Sequence, residues 1–231
     1  IFIIAEAGVN HNGSLKLALK LVDEAKKAGA DAIKFQTWKT DNVIRKNTKL
    51  AEYQKKNNEF DNQYDLLKNL ELPYEAFDVI KKYSNKKKIK FLSTADEIES
   101  AIFLKKIQNI FKIGSAELTD LPFLSKIAKF KKNIILSTGL STFKEIKIAL
   151  KILMQNGLKK NKITILHCNS AYPTPLKDMN LNVIKSLKEK FKIKVGLSDH
   201  SKSLIAPIIA VSLGATVIEK HFTLNNKKKG P

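Results

Sequence analysis

The fold class that this sequence predicts is α/β: a (β/α)8 barrel of the TIM type, ending after its eighth strand. Three observations lead there. Eight short apolar runs alternate with helical segments along 231 residues, a length within the range of one α/β barrel. Most of the runs stop on polar residues, as barrel strands do where they open into a site. The segments between them carry helix start and stop signals. Strands alternating with helices read as parallel strands joined by crossovers. Alternation alone does not show closure, so a doubly wound open sheet is the alternative.

The first strand is Ile1–Glu6. Ser14 opens the helix that follows, whose Leu15, Leu17, Ala18, Leu21, Val22 and Ala25 recur at three- and four-residue spacing until Gly29. The second strand is Ala32–Thr37. From Trp38 to Leu72 the chain turns polar, with a short helix expected around Leu50–Lys56, and reads as a substrate-covering loop. Pro73 opens the next helix. Strands follow at Ile89–Thr94, Ile110–Ser115 and Asn133–Thr138; Thr142 and Glu145 then form a capping box, and Gly157 closes that helix. The last three strands are Ile163–Cys168, Lys194–Asp199 and Thr216–His221, the final pair joined by one helix from Ser201 to Leu213 and Gly214. Ten residues follow His221. The expectation is a chain cut before an eighth helix and trimmed ahead of Ile1.

Composition narrows the function classes. Apolar residues make up 43%, enough for a large core, and no apolar run approaches membrane-spanning length. One cysteine, Cys168, excludes an internal disulfide framework and fits a reducing cytoplasm; it reads as a small buried hydrophobe. The net charge of +20 suggests nucleic acid, but Arg45 is the only arginine. Specific phosphate and base recognition favours the planar guanidinium fork, and no aromatic-basic motif is present. Solvated lysine faces are the better reading, with no specific nucleic-acid partner.

The strand ends hold the chemistry. His200 and His221 stand at the same end of two neighbouring parallel strands, which makes a plausible divalent metal site. Lys34 and Lys112 lie inside otherwise apolar strands, where an ammonium is costly unless an anion meets it. Together with several Ser and Thr hydroxyls at the strand ends they describe a pocket for a small multiply charged anion. The alternative is a pair of internal salt bridges to Glu6, Glu117 or Glu219. This reading reaches metal-assisted chemistry on a phosphorylated carboxylate.

Seven blocks carry a resemblance: Ala5–Gly13 (AEAGVNHNG), Lys34–Thr37 (KFQT), Phe111–Glu117 (FKIGSAE), Leu136–Gly139 (LSTG), Tyr172–Pro175 (YPTP), Gly196–His200 (GLSDH) and Glu219–Thr223 (EKHFT). In this order, over the whole chain, they resemble the bacterial sialic acid synthases, and Ala51–Lys56 looks like the legionaminic acid synthase branch. The resemblance implies condensation of phosphoenolpyruvate with an N-acetylated mannosamine-type sugar to a nine-carbon 2-keto acid and phosphate. It implies Mn2+ (or Mg2+ or Co2+) on His200 and His221, and Glu6 as general base beside Lys34 and Lys112. It puts Thr94, Ser115, Ser137 and Ser198 with those lysines on phosphoenolpyruvate, and Gln36, Glu117 and Tyr172 near the sugar. It further implies a cytoplasmic homodimer, and a C-terminal antifreeze-like domain that this chain lacks. Three departures stand out: Ala95-Asp96 after the third strand, Ser170 where some members have asparagine, and the stop at Gly230-Pro231, for which the expectation is an inactive or poorly folding fragment. Competing readings are a synthase for pseudaminic acid or a spore-coat polysaccharide, an inactive barrel that binds sugar, and an RNA-binding module.

Overall fold

The computed structural model describes residues 1–50, 54 and 60–225. Its eight strands form a closed barrel in the order β1 to β8, which settles the fold class as a (β/α)8 barrel and removes the open-sheet alternative. The strands are β1 (Phe2–Gly8), β2 (Ala32–Thr37), β3 (Lys90–Ala95), β4 (Ile110–Ile113), β5 (Asn133–Ser137), β6 (Ile163–Cys168), β7 (Lys194–Asp199) and β8 (Val217–His221). The helices among the described residues are α1 (Leu15–Lys27), α2 (Thr40–Val43), α3 (Gln63–Leu70), α4 (Tyr74–Lys86), α5 (Ile98–Ile107), α6 (Leu121–Ala128), α7 (Phe143–Gln155), α8 (Val183–Phe191) and α9 (Ala206–Ser212). By contacts the chain groups into two units: Ile1–Ile4 with Gln108–His221, and Ala5–Ile107 with the residues from Phe222 on.

In the unit of Ala5–Ile107, strand alternation divides β2 cleanly. Ile33 and Phe35 form one face, and Phe35 stacks on Phe91 of β3 with ring centroids 6.2 Å apart. Lys34 and Gln36 take the other face, level with Leu92 and Thr94 of β3 in the parallel register. Helix α1 starts where Ser14 accepts the Leu17 amide at 3.3 Å. Its buried stripe of Ala18, Leu21, Val22 and Ala25 is the expected apolar face.

The long polar segment is not a plain covering loop. It contains α2 and α3, and Trp38, Leu66 and Leu70 form a small core with Val9, Val43, Leu50, Phe60 and Leu67 packed against it. Glu71 ties the end of the segment back to the start of α2, accepting from the Thr40 amide at 2.9 Å and its hydroxyl at 2.7 Å. The helix expected around Leu50–Lys56 falls largely outside the described residues. Gly13 is required here: its φ is +71°, and a Cβ would strike the carbonyl oxygen of Asn69 in α3.

In the unit of Gln108–His221, β4 to β8 pair in sequence, all parallel. The capping box forms as expected, with the Thr142 amide donating to Glu145 at 2.7 Å and the Glu145 amide donating to Thr142 at 3.3 Å. Gly196 lets β7 approach its neighbours, because a Cβ there would meet the Val217 carbonyl oxygen and the Leu166 side chain. The helix expected from Ser201 starts only at Ala206. Asp199 accepts the Ser201 amide at 2.8 Å, Ser201 the Ser203 amide at 3.1 Å, and Ser203 the Ile205 and Ala206 amides at 3.1 and 3.0 Å. These side-chain acceptors take the amides that would have begun the helix, so the chain makes serial turns until Pro207 can sit in a first turn.

Candidate active site

Each unit carries one polar cluster at the C-terminal ends of its strands. In the unit of Ala5–Ile107, β1 supplies Glu6 and β2 supplies Lys34, both nearly fully buried, and their charged groups meet at 2.8 Å. The Lys34 ammonium also donates to the Thr94 hydroxyl of β3 at 2.8 Å. A buried ammonium needs such partners, and both internal salt bridges of the alternative form: this one, and a longer one from Lys112 to Glu219 at 3.4 Å. Gln36 lies half-buried one alternation further along β2, level with Thr94.

The loop after β1 holds a residue of the first motif block to which the sequence assigned no role. His11 is fully buried, and its Nδ1 accepts the Gly13 amide at 3.1 Å. Burial holds its pKa down at about 4, so the ring is neutral and carries its proton on Nε2. That Nε2 has no hydrogen-bond partner among the described residues. The signal was present in the sequence, a histidine just past a strand end, but burial is a tertiary property.

The unit of Gln108–His221 holds the metal candidates. The β7–β8 register pairs Ser198 with Glu219 and Asp199 with Lys220, which sets His200 and His221 side by side at the strand ends. Their ring centroids are 5.4 Å apart. The His200 Nδ1 bonds to the Asn169 carbonyl at 2.6 Å; a carbonyl only accepts, so the proton is on Nδ1 and Nε2 keeps its lone pair. Burial lowers the pKa of His200, which keeps the ring neutral. The Tyr172 hydroxyl stands 2.7 Å from the His200 Nε2 and 3.5 Å from the His221 Nε2. Both imidazoles therefore converge on one point with the atoms that ligate divalent ions. The donor set fits such an ion with two protein ligands and its other positions open to water or substrate. Among the described residues there is no cluster of three or more His, Cys, Asp or Glu that could hold a metal.

Around that point lie the anion-binding candidates. Glu219 accepts from the Ser198 hydroxyl at 2.8 Å and faces the Lys112 ammonium at 3.4 Å. Lys112 is buried, and its contacts to Glu219 and to the Ile113 carbonyl are both long, at 3.4 Å. The Ser137 hydroxyl is buried without a hydrogen-bond partner among the described residues. The Ser115 hydroxyl accepts the Gly139 amide at 2.9 Å. The Glu117 carboxyl lies in the space that a Cβ on Gly114 would fill, and burial raises its pKa. Sequence reasoning placed Glu219 only as a possible salt-bridge partner; the register with Ser198 puts it beside the histidines. Cys168 is buried as expected, but its Sγ also lies 3.9 Å from His200, and burial pushes its pKa up.

Comparison with known proteins identifies the family. The NeuB family model matches residues 21–231. The N,N'-diacetyllegionaminic acid synthase of Campylobacter jejuni is 48% identical over 99% of the chain and 69% of its own length. A pseudaminic acid synthase of Campylobacter jejuni is 44% identical over 97% of the chain and 66% of its length. The chain thus spans about two thirds of these relatives. The crystal structure of the N-acetylneuraminic acid synthetase of Leptospira borgpetersenii, in complex with citrate, superposes with a TM-score of 0.87 at 37% identity, covering 97% of this chain and 74% of that one. The chain belongs to the NeuB family.

Proposed function

We propose that this chain is the condensing barrel of a sugar-acid synthase, which joins phosphoenolpyruvate to an N-acetylated mannosamine-type sugar. The products are a nine-carbon 2-keto acid and phosphate. The observation that carries this is the convergence of His200 and His221 on one point beside Lys112, Ser198 and Glu219, in a member of the NeuB family. When bound by the two histidines, a divalent ion, Mn2+ by resemblance or else Mg2+ or Co2+, would polarise the sugar aldehyde.

The remaining chemistry belongs to the chain's own residues. Lys112, whose contacts to Glu219 and to the Ile113 carbonyl are both long, has donors to offer an anionic substrate oxygen. The Ser115, Ser137 and Ser198 hydroxyls are the matching neutral donors, and Ser137 has no hydrogen bond to give up among the described residues. Lys34 and Thr94 form the corresponding pair on β2 and β3. In the reaction, C3 of phosphoenolpyruvate bonds to the aldehyde carbon and the aldehyde oxygen takes a proton. Water adds at C2, and the C2–O bond to phosphate breaks. Glu6 is the base that takes the proton from that water, and its carboxylate meets the Lys34 ammonium at 2.8 Å. By resemblance Gln36, Tyr172 and Glu117 are the residues near the sugar, and burial raises the pKa of the Glu117 carboxyl.

A second reading of the sugar has its own support. The 48% identity to a legionaminic acid synthase favours a diacetamido-trideoxy hexose over N-acetylmannosamine. The enzyme is read as a cytoplasmic homodimer by resemblance; no helix among the described residues is long and apolar enough to cross a membrane. The test is phosphate release from phosphoenolpyruvate by the full-length protein with Mn2+, each sugar offered separately. Release that requires one sugar and stops with a chelator supports the reading and names the branch. Folded protein that releases no phosphate with either sugar refutes it and leaves the inactive sugar-binding barrel.

A further inference from the structure

We propose that the Tyr172 hydroxyl and a divalent ion compete for one position on the histidine pair, so that Tyr172 is a positioning residue whose side chain the ion displaces. This rests on the reading that His200 and His221 hold the ion. The His200 Nδ1–H is committed to the Asn169 carbonyl at 2.6 Å, which leaves Nε2 a single lone pair. The Tyr172 hydroxyl takes that lone pair at 2.7 Å and stands 3.5 Å from the second Nε2. An ion ligated by imidazole nitrogens sits about 2.0–2.3 Å from each and uses the same lone pairs. The hydrogen bond and the metal bond at His200 are therefore mutually exclusive.

The geometry also shows which part must move. The Tyr172 ring stacks on His200 with centroids 3.9 Å apart and meets His221 edge-on at 5.5 Å. Its flanking backbone is pinned: the Ala171 amide donates to Asn169 Oδ1 at 2.8 Å, the Thr174 hydroxyl to the Ala171 carbonyl at 2.9 Å, and the Thr174 amide to the His200 carbonyl at 3.0 Å. The residue is 52% exposed. Room is thus made by rotating the side chain between staggered wells, with the loop left in place. The rotated phenol becomes available to the sugar only after the ion has arrived, which orders the binding events: ion first, sugar second.

The experiment measures Mn2+ affinity by the electron paramagnetic resonance signal of the free ion, for the unaltered chain and for Tyr172→Phe, Tyr172→Leu and His200→Ala, each checked for fold by circular dichroism. Tyr172→Phe keeps the ring and removes the competing hydroxyl, so it should bind Mn2+ about three- to tenfold more tightly, the range of one hydrogen bond. Tyr172→Leu should do the same. In protein labelled with 3-fluorotyrosine, the fluorine resonance missing from Tyr172→Phe should shift on adding Mg2+. Weaker binding by Tyr172→Phe would make the hydroxyl a ligand and overturn the proposal, and so would unchanged binding. If the unaltered chain binds no Mn2+, or His200→Ala binds it equally well, the metal reading itself fails and the competition with it.

Discussion

Lys112→Met tests whether the Lys112–Glu219 pair is kept for chemistry. Both side chains are nearly inaccessible, about 5% exposed, and the charged groups stand 3.4 Å apart. Removing the ammonium leaves a buried carboxylate without its facing cation, still accepting from the Ser198 hydroxyl at 2.8 Å. Breaking a buried pair by removing one partner costs about 3–5 kcal/mol, whereas replacing both with neutral groups of similar volume is often neutral or stabilising. The long contacts of Lys112 argue for the lower end, about 3 kcal/mol. The double variant Lys112→Met with Glu219→Gln should then return to within ~1 kcal/mol of the starting stability. Urea unfolding of the four proteins closes the cycle. With the same substitutions in the full-length protein, phosphate release should be lost in all three variants, including the restored one. A single variant destabilised by less than ~1 kcal/mol would refute the buried-charge argument. A double variant that still turned over would refute the functional one.

Other expectations follow from particular contacts. His11 is neutral in the folded chain with a pKa of about 4, against about 6.5 unfolded, so the unfolded state binds more protons between those values. Its contribution of about 3 kcal/mol is fully present above pH 6.5 and is lost as the pH falls through about 4; urea unfolding at pH 7 and pH 4.5 should show it, and His11→Gln should flatten the slope. Gly196→Ala should lower Tm by several degrees, from a clash with Val217 and Leu166 worth about 1–3 kcal/mol. An unshifted melt would mean that β7 and β8 are less tightly apposed than their register shows. Mn2+ at about a hundred times its Kd should stabilise the chain by about 2.7 kcal/mol in thermal melts. His200→Ala should abolish that shift, and persistence of the full shift would place the ion elsewhere.

The eight strands were legible in the sequence because a strand buried on both faces must be a continuous apolar run, and here each run is set apart by helix caps and glycines. So was the pairing of His200 with His221, since one crossover helix fixes both at the same end of neighbouring parallel strands. The seven motif blocks named the family. Boundaries were less legible: β1 runs on to Gly8 past the expected Glu6, and β4 stops at Ile113 because Ala116–Thr119 coils into a 3-10 turn. The start of α9 at Ala206 was hidden because three side chains compete for its first amides, a choice decided by geometry.

Alternation along a strand says which face a side chain occupies, and the sequence determined that much for Lys34 and Lys112. It does not say what meets the side chain there. Only the tertiary structure decided that Lys34 is tightly held by Glu6 and Thr94, while Lys112 stands off from Glu219. Tyr172 on the histidine pair could not be read in advance either. The loop after β6 reaches β7 and β8 through bonds spanning 28 and 49 residues, and the chain between them has no local pattern that records the contact. Periodicity is a local property that sequence preserves; the meeting of side chains from separate strands exists only once the sheet has formed.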